Sequence, residues 1–120
     1  MAKILLAGYV RELIEDSDKA LRAAGYDVTL ALTYADALQA AEQQIFDIAV
    51  LGYTVPEEER TQLAGVIKQK NPVTQIIIFY FDDVSHSEHA DVLIRTTASA
   101  EDLLRAVEYT VSKRDRTRTG

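Results

Sequence analysis

Six successive apolar residues, Ile76–Phe81, leave no polar side for a strand to turn toward water. A strand of this kind needs cover on both faces, and parallel sheets flanked by helices provide it. Phe46–Leu51 reads the same way, as a second strand suited to burial on both sides. Two such strands in one short chain predict helices packed above and below a common sheet.

The segments around them carry the matching periodicity. Lys3–Ala7 is a short buried strand. Leu13, Ile14, Ser17, Ala20, Leu21 and Ala24 then recur at spacings of three and four, predicting a helix that Gly25 stops. Asp27–Ala31 alternates as a strand. Thr33 is placed to cap a second helix, with Asp36 three residues on and Ala37, Leu38 and Ala41 on its inner face. After the loop Gly52–Pro56, a third helix spans about Glu58 to Lys70, with Leu63, Val66 and Ile67 inward and Asn71-Pro72 at its end. Glu57, Glu58 and Glu59 at its start complement the helix dipole. Gln75–Phe81 and Val92–Ile94 are the remaining strands. Ser99 is placed to cap a last helix, with Leu103, Leu104, Val107 and Val111 on its core face.

This alternation predicts an α/β fold with a doubly wound five-stranded parallel sheet. Its β-to-α loops would share the carboxyl edge, where such folds carry their chemistry. The length suits one domain, 1–112, followed by a basic tail or linker, 113–120. That last segment holds four basic residues and one acid, so the net charge of −6 leaves −9 on the body. An acidic body repels nucleic acid. The absence of cysteine excludes disulfides, zinc-thiolate sites, iron–sulfur clusters and thiol nucleophiles. No apolar run is long enough to cross a bilayer, and the start lacks a signal-peptide pattern, so a cytoplasmic protein is expected.

Five stretches in order resemble a response-regulator receiver domain, the chemotaxis-regulator or flavodoxin-like type. They are Lys3–Ala7, Ala20–Val28, Phe46–Gly52, Asn71–Ile78 and Ser99–Leu104. The Pro56-to-Pro72 distance also matches the family. The resemblance implies strand order 2-1-3-4-5 and a place in two-component or phosphorelay signal transduction. It further implies a phospho-accepting aspartate, an acidic pair for Mg²⁺, a hydroxyl and a lysine. This chain departs from all of them. Gly8 and Tyr9 stand at the acidic pair, Gly52 at the phospho-acceptor, Tyr80 at the hydroxyl and Thr96 at the lysine. The expectation is a degenerate pseudo-receiver with no catalytic residues, no cofactor and no phosphorylation.

Tyr9, Tyr53, Tyr80 and Phe81 fall on or beside the emptied edge. Aromatic rings there either plug the space or form a patch for a partner or small ligand. Between Phe81 and Val92 only ten residues intervene, room for a shortened fourth helix or none. Missing cover would expose a surface combining Phe81, Val92, Ile94, Arg105 and Tyr109, suited to a protein partner or a homodimer. Asp82, Asp83, His86 and His89 have spacings that could gather a transition metal, although a solvated polar loop explains them without one. The favoured function is a protein–protein interaction module in signalling, not an enzyme and not a binder of nucleic acid or membranes. The alternative is a small-ligand sensor using the aromatic edge.

Overall fold

The computed structural model describes residues 2–80, 91–95 and 100–119, with side chains at 79, 80, 92–95 and 114–119 left aside. Chain order is β1 (Lys3–Ala7), α1 (Arg11–Ala23), β2 (Asp27–Ala31), α2 (Tyr34–Gln43), β3 (Ile48–Leu51), α3 (Glu57–Lys70), β4 (Gln75–Tyr80), β5 (Val92–Arg95) and α4 (Ala100–Thr119). The strands β2, β1, β3 and β4 lie side by side in that order, all parallel. This is the doubly wound arrangement expected from the alternation. Beside β4, β5 runs parallel, pairing Val92 with Ile77 and Arg95 with Tyr80.

Strand periodicity divides the core in two. Leu5, Ala7, Ala49, Leu51, Ile76 and Ile78 face one side, where they meet Ala37 and Ala41 of α2 and Leu63, Ala64 and Ile67 of α3. Ile4, Leu6, Ile48, Val50 and Ile77 face the other, against Ile14 and Leu21 of α1 and Leu103 and Val107 of α4. Thus β3, and β1 from Ile4 onward, are apolar because each face has its own helical layer.

The helix starts follow local chemistry. The Thr33 side chain accepts from the Asp36 N–H at 3.1 Å, as its spacing predicts. Pro56 precedes α3, which starts one residue earlier than expected, at Glu57. Each helix carries acid in its first turn: Glu12 in α1, Asp36 in α2, Glu57, Glu58 and Glu59 in α3, and Glu101 and Asp102 in α4. All four starts lie at the carboxyl edge, because each helix runs back against the strands.

Three expectations need adjustment. Leu13 is 54% exposed, because the buried line of α1 runs through Ile14, Ser17 and Leu21 and leaves Leu13 at its margin. Ala24 is also exposed, sitting at the C-cap outside the helical face. In α3, Ala64 is buried and Val66 only partly, so the inner face is rotated from the one expected. Beyond these, α4 continues through Thr119, so the 113–119 part of the basic tail or linker has helical backbone. It contains no glycine or proline, and its basic residues suit a helix C-terminus. The fourth crossover, the Ser99 cap and Phe81 lie outside the described residues. Among the described residues no helix is long and apolar enough to cross a membrane.

At the opposite, amino edge, polar groups hold the strands in register. The Lys3 N–H donates to Asp47 Oδ2 at 2.7 Å. Asp91 Oδ2 accepts from the Ile76 N–H at 2.7 Å and from Lys68 Nζ at 3.1 Å. Lys68 also reaches the Thr74 carbonyl at 2.6 Å, so α3, β4 and the start of β5 share one knot.

Candidate functional site

The site expected from the sequence is the carboxyl edge above β1 and β3. Their register pairs Ala7 with Leu51, so Gly8 and Gly52 emerge as neighbours. The Gly52 N–H donates to the Ala7 carbonyl at 2.7 Å. A Cβ at Gly52 would stand 3.6 Å from Gly8 Cα and 3.1 Å from that same Ala7 oxygen. A Cβ at Gly8 would lie 3.1 Å from both Cγ1 and Cδ1 of Ile14. The missing side chains have therefore not left a hole. Ile14, 3% exposed, reaches from α1 into the space above the paired glycines. An aliphatic side chain offers nothing to a hard cation, which takes oxygen ligands. Gly8, Ile14 and Gly52 do not fit the Mg²⁺ that the receiver resemblance implies.

Tyr9 closes the next part of the edge. Its backbone N–H donates to Thr54 Oγ1 at 2.8 Å, and its hydroxyl donates to Glu59 Oε1 at 2.7 Å. Its ring packs against the α2–α3 side of the core. One residue thus ties the β1–α1 loop to both the β3–α3 loop and the first turn of α3. Val55, fully buried, anchors the same loop, and the Arg60 guanidinium donates to its carbonyl at 3.2 Å. Nearby, the Tyr34 hydroxyl donates to Gln62 Oε1 at 2.5 Å, joining α2 to α3. Burial, and then the hydrogen bond to the Glu59 carboxylate, push the Tyr9 hydroxyl well above the usual tyrosine range.

A tyrosine pKa raised by folding adds stability that is complete below the unfolded value, about 10, and lost as pH rises beyond it. Tyr9→Phe is expected to lower the urea midpoint at neutral pH by removing the bond to Glu59. The gap between wild type and variant should narrow above pH 10. A constant gap up to pH 11 would show that the hydroxyl does not carry the effect.

The other expected residues are spread more widely. Tyr53 is half-buried in the β3–α3 loop, and the backbone of Tyr80 ends β4. Arg105 and Tyr109 lie one helical turn apart on α4. Tyr109 is 64% exposed, and Arg105 pairs with Glu101 at 2.8 Å. Val92 and Ile94 belong to β5. Phe81, Thr96 and the polar group Asp82, Asp83, His86 and His89 lie outside the described residues. Sequence reasoning missed three participants. Ile14 reads only as one more apolar position on a helix face, Thr54 only as a loop residue, and Glu59 only as a helix-end charge. Nothing in their local pattern announces contacts that span 45 and 50 residues for Thr54 and Glu59.

The architecture is that of response-regulator receiver domains. Among solved structures, the chain is similar to a CheY-like receiver domain protein from Methanospirillum hungatei JF-1, at 20% identity and a TM-score of 0.82, over 98% of both chains. It is also similar to a receiver domain protein from Clostridium thermocellum, at 19% identity and a TM-score of 0.80, over 98% of this chain and 99% of that one. The chemotaxis response regulator CheY4 of Vibrio cholerae matches at 19% identity and a TM-score of 0.78, over 92% of this chain and 98% of that one. At these identities the likeness establishes the fold. No family model and no curated protein matches the sequence.

Proposed function

We propose that this domain is a pseudo-receiver, a protein–protein interaction module of two-component-type signalling that takes no phosphoryl group and catalyses no reaction. The observation that carries the reading is the Gly8–Ile14–Gly52 contact, which replaces carboxylates with an aliphatic plug. Phosphoryl transfer to a carboxylate works by positioning and by neutralising charge. The plugged edge supplies neither nucleophile nor metal ligand at these positions. Tyr9 is committed to Thr54 and Glu59, so its ring and hydroxyl serve the fold. Binding then falls to the outer surfaces, and the partner-facing region we propose is the exposed side of α4 around Arg105 and Tyr109 together with β5, the strand that carries Val92 and Ile94.

Incubation with an acyl phosphate and Mg²⁺, followed by intact mass measurement, is the direct test. The expected outcome is an unmodified 13.4 kDa chain. An acid-labile, stoichiometric phosphoryl adduct would overturn the proposal. Gly52→Asp is expected to remain unmodified as well, because Gly8 and Tyr9 still provide no acidic pair.

A further inference from the structure

Away from the carboxyl edge, the C-terminal ends of α2 and α3 flank an open groove of about 470 Å³ lined by Glu42, Val66, Gln69 and Lys70. At the same end of the molecule, the Thr74 hydroxyl donates to the Phe46 carbonyl at 2.6 Å, so the segments leading into β3 and β4 run side by side. That pairing places Ile45 and Val73 as neighbours, 58% and 63% exposed. Two branched apolar side chains thus stand in water at the same end as a groove whose lining includes Val66. Glu42 and Lys70 take part in no ion pair among the described residues.

We infer that this surface is a two-fold contact with a second copy of the chain. The charges on this surface complement one another. Glu42 comes from α2 and Lys70 from α3, so the opposite charges stand on opposite walls of the groove. A two-fold axis running along the groove, between its two walls, brings each Glu42 against the other copy's Lys70. It also stacks the Ile45–Val73 pairs against each other. The patch is therefore complementary to itself, as an isologous interface requires. A partner of single charge sign would satisfy only one wall and set a like charge against the other. This surface lies on the α2–α3 layer, away from α4, and stands independently of the partner-facing region proposed above.

Sedimentation of the full chain at micromolar to submillimolar concentration tests the inference. A concentration-dependent dimer is expected. Glu42→Lys and Lys70→Glu should each weaken it by about tenfold or more, because each sets like charges face to face. Glu42→Lys combined with Lys70→Glu should restore association, since the swapped charges again face their opposites. Ile45→Asp should abolish it, and circular dichroism should show these surface variants folded. A wild-type monomer throughout the range would overturn the inference. So would a dimer indifferent to the charge reversals, or a double variant no better than the singles. A dimer lost in Tyr109→Ala yet unchanged in Glu42→Lys would assign self-association to the α4 side, overturning this inference while supporting the other surface.

Discussion

Gly8→Asp is expected to destabilise the fold by about 3 kcal/mol, the combined scale of overpacking and of burying an unpartnered carboxylate. Gly8 is buried, and a Cβ there meets Ile14 Cγ1 and Cδ1 at 3.1 Å, closer than ordinary van der Waals contact. The neighbouring atoms belong to an aliphatic side chain, so the new charge gains no hydrogen bond from them. Urea unfolding of Gly8→Asp, Ile14→Ala and the double variant measures the contact as a coupling energy. Ile14→Ala alone should cost about 2–4 kcal/mol. In its presence the cost of Gly8→Asp should fall by more than about 1 kcal/mol, since residues in direct contact are not additive. Strict additivity would show that Ile14 is not what excludes a side chain from this position.

Phe46→Ala is expected to have an effect of similar or greater size, about 3–5 kcal/mol, the range for emptying a buried aromatic site. Phe46 is 2% exposed and belongs to the α2–α3 half of the core, although it precedes β3. Its backbone carbonyl receives the buried Thr74 hydroxyl, so the ring sits beneath a junction that holds two strands in place. Collapse around the cavity would have to move that junction. At a concentration low enough to keep the chain monomeric, Ile45→Ala, one residue earlier and mostly exposed in the single chain, should change stability by less than about 0.5 kcal/mol. Near-equal effects for the two substitutions would contradict the assignment of inward and outward sides at this end of the sheet.

Periodicity made the architecture legible because burial on both faces leaves a signature that no surface strand shares. Ile76–Ile78 and Ile48–Leu51 could only be interior strands, and the helical spacings between them then dictated the crossovers. The details that escaped are those decided by tertiary position. Leu13 satisfies the spacing of the apolar face of α1, yet the buried line runs through Ile14, Ser17 and Leu21 and leaves Leu13 at its margin. Phe46 and Asp47 look like the start of β3, but Asp47 is used as a side-chain acceptor for the Lys3 N–H and the regular strand begins at Ile48. In the site, the glycines at 8 and 52 could be read from sequence as losses. What fills the space could not be read, because Ile14 serves the plug and the helix core with one and the same side chain. The Tyr9 contacts were hidden for a related reason: a hydroxyl's partner is chosen by how loops meet in space.

The seven carboxylates in the first turns of the four helices act together as a fixed electrical pole. Helix starts are places where stray anions tend to settle, but here that attraction is already answered by resident side chains. The last turns of α1 and α3 carry Arg22, Lys68 and Lys70, and α4 ends in its basic stretch at the same end. Charge is therefore separated along the strand axis, and the domain experiences a torque in the field of any charged body it approaches. Before contact it would already be turned one way, with encounter rates that fall as salt shortens the reach of that field.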